Sequence, residues 1–338
     1  MTTRSFAPPP PGVWVPAVTL FDPTTDRLLP KDQTRYFSYL ASTGITGLVV
    51  LGSNAETFLL TREERRATLE TARAAVGPDF PIMAGVSGHS TAQVIEFLED
   101  AKAAGANYGL LLPPAYFGAK ASPPAMLSRF FDDVAAATPL PLVIYNFPGI
   151  TAGVDLDSDT IAGLARRHPG VVVGVKLTCG SVAKVTRLAA ELSPEKFTVF
   201  GGQADFLVGG LASGSGGCIT AFGNVFPKTT VRIYEQWTGS SAKASVAKTA
   251  DIRTAEEREV DRAAALALQY KAALAERPCK SGIATTKYAA SFFTAPLAGI
   301  SDAEAKLQPR RPYLEPSDAE KAKCRDLMAE VAEIEKSL

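Results

Sequence analysis

One lysine stands inside a short run of apolar residues. Lys176 is preceded by Val171–Val175 and followed by Leu177. A lysine is rarely buried without a partner, and burial favours the neutral amine, which attacks ketones. A lysine that pairs with a buried acid, or whose amine reaches the surface, produces the same pattern. The chemistry that this position favours is imine formation with a carbonyl substrate.

A tyrosine and a polar turn close two other apolar runs. Tyr145 ends the run that starts at Pro141, and a phenol near a lysine can relay a proton to or from a substrate hydroxyl. The turn Gly52, Ser53 and Asn54 comes just before a helical pattern, where backbone N–H groups can bind a carboxylate. Each feature alone also fits an ordinary structure, a core tyrosine or a helix cap.

Eight short apolar runs recur along the chain at a steady interval. Nearly continuous apolar runs are typical of parallel strands that are covered on both faces. Helical patterns lie between them, and the strand–helix units average about 28 residues, close to the unit of a (β/α)₈ barrel. Alternating strands and helices predict a parallel sheet, and eight of them predict its closure. The predicted strands are Val13–Thr19, Gly47–Gly52, Pro81–Val86, Tyr108–Leu112, Leu142–Asn146, Val171–Leu177, Phe197–Gly201 and Gly217–Thr220.

The pattern divides the chain into three parts. We predict a flexible N-terminal arm at residues 1–11, a catalytic barrel at residues 12–238 and a helical appendage at residues 239–338 that packs on the barrel. Glycines between 209 and 217 lack the lysine of a P-loop, so they predict close backbone packing. The predicted helices open at Thr61 and Ser90 or span Pro123–Ala137, Asp157–Arg167, Ser181–Leu192, Phe226–Trp237, Ala255–Ala275, Gly282–Phe293 and Pro316–Lys336, with a loop at Thr238–Lys248.

Composition excludes several classes of partner. The chain has 35 basic and 35 acidic side chains and no basic stripe, which argues against nucleic acid. No apolar run is long enough to span a bilayer. Two histidines and four scattered cysteines disfavour a metal site and favour free thiols. Met1–Pro11 holds one arginine and no apolar core, so we expect a cytoplasmic protein.

Together these segments resemble the dihydrodipicolinate synthase and N-acetylneuraminate lyase family of class I aldolases, over roughly residues 12–313. The tyrosine and lysine motifs, on the fifth and sixth predicted strands, make the match specific. The resemblance implies a 2-oxo acid substrate and pyruvate, a covalent imine without metal or organic cofactor, and a homo-oligomer built as a dimer of dimers. The matching motifs are Val15–Phe21, Gly52–Glu56, Ala84–Gly88, Pro113–Tyr116, Tyr145–Pro148, Gly174–Lys176 and Gly217–Thr220.

The resemblance also implies a role for each matching catalytic residue. Lys176 matches the lysine that forms the Schiff base, and Tyr145 matches the tyrosine that shuttles a proton. Ser53 matches the hydroxyl that links this tyrosine to a second one. Tyr116 matches that second tyrosine, which in the family reaches into the site of the neighbouring subunit.

A second group of residues matches substrate-binding positions. Asn54 stands where a second hydroxyl residue of the family often helps to bind the pyruvate carboxylate, and Gly52 is counted with it as a binding residue. The carbonyl of Ile219 is expected to face the lysine. Sialate lyases bind the hydroxylated tail of their substrate at positions that match Thr178, Asp205 and Thr220, and Gly202 is grouped with them.

Departures from the family pattern narrow the substrate. True dihydrodipicolinate synthases carry an arginine for the semialdehyde carboxylate where this chain has Ile150, and a hydrocarbon cannot replace that five-donor group. The segment Ser53–Ala55 resembles the branch with eukaryotic 4-hydroxy-2-oxoglutarate aldolase and fungal L-threo-3-deoxy-hexulosonate aldolase. Because the tail positions suit a polyol, we expect cleavage of a 2-keto-3-deoxy sugar acid to pyruvate and a hydroxyaldehyde such as glyceraldehyde.

Three alternatives stay open. A 4-hydroxy-2-oxoglutarate aldolase would release glyoxylate together with pyruvate. A dehydratase for keto-deoxy sugar acids would use the same imine and release no pyruvate. A non-catalytic barrel that binds pyruvate is disfavoured, because binding alone requires no proton relay.

Overall fold

The chain folds into a closed barrel of eight parallel strands. The computed structural model describes residues 5–243 and 251–338. Each strand pairs with the next in sequence, and the last pairs with the first, so the predicted (β/α)₈ barrel is confirmed. The strands are β1 Gly12–Pro16, β2 Gly47–Val50, β3 Ile82–Gly85, β4 Tyr108–Leu111, β5 Leu142–Asn146, β6 Val172–Leu177, β7 Thr198–Gly201 and β8 Gly217–Ile219.

Helices alternate with these strands and then continue beyond them. Short 3₁₀ turns occupy Ser53–Ala55, Thr57–Leu59, Ala119–Ala121 and Ala221–Asn224. The barrel helices are α1 Pro30–Ser42, α2 Arg62–Val76, α3 Thr91–Ala103, α4 Pro124–Ala137, α5 Ser158–Arg167, α6 Val182–Glu191, α7 Leu207–Ala212 and α8 Pro227–Thr238. The C-terminal extension holds α9 Ala255–Ala275, α10 Arg277–Lys280, α11 Ile283–Phe293, α12 Ala303–Lys306 and α13 Asp318–Ser337.

Alternation along the strands separates two apolar layers. Successive side chains of a strand point to opposite faces. On β6, Val175 and Leu177 pack outward against the helices. Tyr145 and Phe200, which lie beside Lys176 in register on the neighbouring strands, belong to the cluster inside the barrel. Lys176 therefore faces the barrel interior.

The first predicted strand, Val13–Thr19, ends three residues earlier than expected. The backbone N–H of Val18 donates to Asn224 Oδ1 at 3.1 Å. The N–H of Leu20 donates to Gln33 Oε1 at 2.9 Å. The N–H of Ala17 still donates to the carbonyl of Val49 on β2 at 3.0 Å, but side chains satisfy the donors of Val18 and Leu20, so the ladder ends there.

Two barrel helices were not bounded by the sequence pattern. Helix α1 buries Tyr36, Phe37 and Leu40, and α7 is only six residues long and contains two glycines. The predicted close packing of the glycine cluster is confirmed at Gly217, whose φ is +142° and where an added Cβ would lie 1.9 Å from the carbonyl oxygen of Gly12.

Residues 5–11, part of the predicted flexible arm, lie across the end of the barrel where the strands begin. Thr198 Oγ1 donates to the carbonyl of Pro9 at 2.8 Å, and Trp14 Nε1 donates to the carbonyl of Pro10 at 3.1 Å. These bonds attach the described part of the arm to the barrel. The four residues before it lie outside the described residues.

The C-terminal extension packs on the barrel through α9, which contacts α7, α8 and α13. Of the predicted loop Thr238–Lys248, the first residue belongs to α8, residues 239–243 are irregular, and residues 244–248 lie outside the described part. In the segments that the structure describes, none of the helices has the length and apolarity needed to cross a bilayer.

Candidate active site

Lys176 occupies the position that its sequence context predicts. Its side chain is almost fully buried, with 3% of the residue exposed. The amine nitrogen Nζ lies 4.1 Å from the centroid of the Tyr145 ring. Within residues 5–243 and 251–338, no carboxylate forms an ion pair with this amine. The lysine is therefore held beside a phenol and away from any structural counter-ion in the described chain.

A hydroxyl of the turn after β2 reaches the same phenol. Ser53 Oγ lies 3.4 Å from the Tyr145 hydroxyl, and either atom can donate. The backbone turns sharply at Leu51, whose φ is +65°. Gly85 makes room for this turn, because a Cβ there would lie 1.9 Å from the Leu51 carbonyl oxygen. A strained turn and a glycine on the next strand thus place Ser53 at the barrel mouth.

The turn also offers backbone donors. Ser53–Ala55 form one turn of 3₁₀ helix, and Ala55 N donates to the carbonyl of Gly52 at 3.0 Å. The first N–H groups of a helix have no partner within it. The N–H groups of Ser53 and Asn54 are such groups, next to the Ser53–Tyr145 contact, so the predicted carboxylate-binding turn adjoins the lysine and tyrosine pair.

Tyr116 does not reach this pair within one chain. Its side chain is 75% exposed, and its ring packs edge-on against His89 and Phe117. In the described part of the chain it forms no hydrogen bond with Ser53 or Tyr145. Its proposed contact with the site of a neighbouring subunit stays a prediction.

The expected tail-binding side chains make contacts within the protein. Thr220 Oγ1 donates to Glu276 Oε1 at 3.0 Å, and Asp205 forms an ion pair with Lys280. Thr178 Oγ1 is buried without a partner among the described residues. It packs so close to Gly202 that an added Cβ would lie 1.9 Å from it. Ile219, the remaining predicted residue, is fully buried inside the barrel.

Glu276 organises the loop after β7 and was missed by sequence reasoning. Its carboxylate accepts the N–H groups of Ala204 at 2.9 Å and Asp205 at 2.7 Å. Burial raises its pKa to about 7. A signal existed, because Glu276 continues the buried face of α9, in which Ala265, Gln269 and Ala272 are spaced like one side of a helix.

A buried ion pair lies behind the Ser53 turn and was also missed. Lys287 Nζ is 2.6 Å from Glu56 Oε1, and both side chains are excluded from solvent. Burial lowers the pKa of Lys287, and the Glu56 carboxylate opposes that change. The two residues are 231 positions apart, so no local pattern links them.

Histidine, cysteine and carboxylate side chains do not gather as metal ligands in the described ranges 5–243 and 251–338. No group of three or more that could hold a metal ion is found there. The imine chemistry without a cofactor remains an expectation at this point.

The family assignment follows from the sequence match. The model of the dihydrodipicolinate synthetase family matches residues 10–275. This chain belongs to the dihydrodipicolinate synthetase family. The resemblance expected from the motifs of β2, β5 and β6 is therefore confirmed.

Two relatives within the family are named aldolases. A Coccidioides immitis protein, provisionally named 4-hydroxy-2-oxoglutarate aldolase, mitochondrial, is 60% identical over 330 residues, which cover 98% of each chain. The L-threo-3-deoxy-hexylosonate aldolase of Aspergillus niger is 38% identical over 258 residues, covering 69% of this chain and 76% of the relative. The family member described here is accordingly an aldolase, a lyase.

Solved structures of the family agree with the fold. A Coccidioides immitis protein, assigned provisionally to the dihydrodipicolinate synthase family, superimposes with a TM-score of 0.87 at 57% identity, covering 98% of each chain. YagE of Escherichia coli K12, solved in complex with pyruvate, superimposes with a TM-score of 0.78 at 25% identity, covering 95% of this chain and 98% of YagE.

The cytoplasmic prediction is wrong. The 60% identical relative is named a mitochondrial protein, which contradicts it. The prediction depended only on the lack of a recognisable targeting pattern in Met1–Pro11. Transit peptides share a composition and not a fixed motif, so such a lack is weak evidence.

Proposed function

We propose that this protein is a Schiff-base aldolase that cleaves 4-hydroxy-2-oxoglutarate to pyruvate and glyoxylate. The 60% identical relative carries that name, which favours this substrate over the sugar acid that the tail positions had favoured. The contact of Thr220 supports the change, because its hydroxyl donates to Glu276 Oε1 and cannot donate to a polyol at the same time.

The observation that carries the proposal is the position of the Lys176 amine. It lies in a buried barrel interior, 4.1 Å from the Tyr145 ring, and no carboxylate in the described chain neutralises it. In this proposal the amine attacks the C2 ketone, and loss of water leaves a protonated imine. The imine withdraws electrons from the C3–C4 bond, which divides one difficult cleavage into easier steps.

Tyr145 supplies the proton transfer in this mechanism. Its oxygen takes the proton of the C4 hydroxyl while the phenol passes its own proton to Ser53, the C3–C4 bond breaks, and glyoxylate leaves; the relay later returns a proton to C3. The electron pair of that bond forms an enamine on C3. Protonation of C3 and hydrolysis of the imine then release pyruvate and free Lys176. The contact of Tyr145 with Ser53 at 3.4 Å supports a relay of the proton.

The turn after β2 binds the C1 carboxylate in the proposed complex. The N–H groups of Ser53 and Asn54 lie at the start of a 3₁₀ turn and can donate to it, which orients the ketone toward Lys176. YagE binds pyruvate in its solved complex, and this supports a 2-oxo acid as the ligand.

A panel of substrates tests the proposal. Purified protein is incubated with 4-hydroxy-2-oxoglutarate and, separately, with L-threo-3-deoxy-hexulosonate, and pyruvate, glyoxylate and glyceraldehyde are measured. We expect the first substrate to give equal amounts of pyruvate and glyoxylate with the higher kcat/KM. If only L-threo-3-deoxy-hexulosonate were cleaved, 4-hydroxy-2-oxoglutarate would be rejected as the substrate. Consumption of either substrate without pyruvate would indicate a dehydratase.

The sugar-acid aldolase is the second candidate. It is favoured by the Aspergillus niger relative, at 38% identity. The two substrates share the imine, the C3–C4 cleavage and pyruvate, and they differ only beyond C4. The panel therefore distinguishes them by the aldehyde that is released.

Assembly and location complete the proposal. We infer a homo-oligomer, because the exposed ring of Tyr116 lies among Phe58, His89 and Phe117, and an apolar patch of this kind fits an interface. Analytical ultracentrifugation checks this, and a monomer at assay concentration would reject it.

We also infer a mitochondrial protein from the name of the 60% identical relative, and fractionation of cells tests it.

A further inference from the structure

Glu56 holds an unfavourable backbone conformation next to the proposed site. Its φ and ψ are 56° and 37°, in the left-handed region. Its N–H donates to the carbonyl of Ser53 at 3.0 Å, and its own carbonyl accepts from Leu59 N at 2.8 Å. This region is sterically unfavourable for a residue that carries a Cβ. Contacts elsewhere must therefore hold the turn in place.

The C-terminal extension supplies those contacts. Lys287, on α11, donates to Glu56 Oε1 at 2.6 Å, and the backbone N–H of Arg310 donates to Oε2 at 2.7 Å. The ring of Phe21 covers the pair, with Lys287 Nζ 4.6 Å from its centroid. Both carboxylate oxygens of Glu56 are thus bound by residues from outside the barrel.

The other end of the same turn carries Ser53. Its hydroxyl lies 3.4 Å from the Tyr145 hydroxyl. The turn is further attached to the barrel by Thr19 Oγ1, which donates to the carbonyl of Ala55 at 2.9 Å. A change in the backbone of Glu56 would move Ser53 directly, since a hydrogen bond joins the two residues.

We propose that the buried Glu56–Lys287 ion pair is a positioning device for the reaction: it holds Glu56 in the left-handed conformation and so keeps Ser53 against Tyr145. The C-terminal extension then takes part in building the site at the barrel mouth. This inference rests on the proposed relay through Ser53 and Tyr145. Neither Glu56 nor Lys287 touches the substrate in it.

Paired neutral variants test the device without leaving a buried charge unpaired. Glu56→Gln/Lys287→Met removes the ion pair and keeps a side chain that disfavours the left-handed region. We expect kcat/KM to fall roughly tenfold to a hundredfold, as a misplaced catalytic group would cause. Circular dichroism and a thermal melt confirm that the variant is folded at the assay temperature. An unchanged kcat/KM would overturn the proposal.

A second variant separates conformation from contacts. Glu56→Gly/Lys287→Met removes even more contacts, but glycine enters the left-handed region without strain. We expect this variant to recover at least threefold of the lost kcat/KM relative to the glutamine variant. If the ion pair contributed only its contacts, the glycine variant would be the less active of the two, and the proposal would fail.

A double-mutant cycle with Ser53→Ala shows whether the device acts through Ser53. In the Ser53→Ala background, removal of the ion pair should cost less than threefold in kcat/KM, because the group that it positions is absent. Independent losses multiply, and a purely structural role would therefore give the full loss in both backgrounds. Multiplying losses would overturn the inference.

A matched control is available in the same extension. Lys271 and Glu330 form an exposed ion pair between α9 and α13 at 2.8 Å. Lys271→Met/Glu330→Gln should leave kcat/KM within about twofold of wild type. All variants are compared with wild-type cleavage. Lack of cleavage by wild type would reject the proposed function, whereas an active wild type with equally active variants would reject only the positioning device.

Discussion

Two lysines of this protein are buried to nearly the same degree and have opposite surroundings. Lys176 is 3% exposed and Lys287 is 0% exposed. The amine of Lys287 meets the Glu56 carboxylate at 2.6 Å. The amine of Lys176 meets the face of the Tyr145 ring, 4.1 Å from its centroid. Burial alone therefore does not distinguish the two lysines, and the partner of each amine does.

The difference has an energetic basis. A buried cation is stabilised when a carboxylate pairs with it, and such a pair stays charged and unreactive. A buried amine without a carboxylate has no ion-pair partner and can act as a nucleophile toward a ketone. We therefore expect a structural role for Lys287 and a chemical role for Lys176.

The largest expected effect is the loss of turnover in Lys176→Met. The substitution keeps the side-chain volume and removes the nucleophile, so kcat should fall by about 10⁴-fold or more. Borohydride reduction in the presence of pyruvate should attach an adduct to the peptide with Lys176 in wild type. Peptide mass spectrometry reads the position. An adduct on Lys287 or Lys280 would show that Lys176 is not the nucleophile.

The second prediction concerns stability. Lys287→Met removes the cation that pairs with the buried Glu56 carboxylate, and we expect the free energy of unfolding to fall by about 3–5 kcal/mol. Lys176→Met should change it by less than about 1.5 kcal/mol, because the volume is conserved and no ion pair is lost. Urea denaturation of both variants measures the difference. Equal losses would show that the two lysines have the same structural role.

The position of Lys176 beside Tyr145 could be predicted from sequence. Lys176 interrupts an apolar strand, and the two-residue period of a strand places its side chain opposite those of its neighbours Val175 and Leu177. Tyr145 was found by the same reasoning on β5. The pairing of β5 with β6 places Tyr145 and Lys176 in register. This pairing follows from the order of the strands in the barrel.

The contact between Glu56 and Lys287 could not be predicted in this way. Glu56 and Lys287 are 231 positions apart, and their contact depends on how α11 packs behind the turn after β2. The same holds for the contact of Thr220 with Glu276, and the predicted role of Thr220 in substrate binding stays a prediction. The C-terminal extension supplies the partners of these barrel residues. No periodic pattern in the barrel sequence indicates those partners.

The role of Tyr145 beside Lys176 can be tested separately from imine formation. Tyr145→Phe should lower kcat for cleavage by about 10²–10³-fold, since a positioned acid–base group contributes that much. The imine itself forms at Lys176, so the yield of the borohydride adduct with pyruvate should stay within about twofold of wild type. Equal losses in adduct and turnover would show that the phenol acts on the lysine and does not relay a proton.

Glu276 is a buried carboxyl group without an ion-pair partner in the described chain, and so is the acidic counterpart of Lys176. It is held by the N–H groups of Ala204 and Asp205 and the hydroxyl of Thr220, while the cation Lys280 is bound to Asp205. Burial raises its pKa from 4.5 to about 7. Between these values the folded state keeps a proton that the unfolded state has lost.

The smallest expected effect follows from that proton. The contribution of Glu276 to stability is full below about pH 4.5 and is lost as the pH rises to about 7, a decrease of at most about 3 kcal/mol. Glu276→Gln should reduce this slope when urea unfolding is compared between pH 5 and pH 8. An unaltered slope would mean that Glu276 ionises normally in the folded protein. The neutral donors around it would then be sufficient to stabilise its charge.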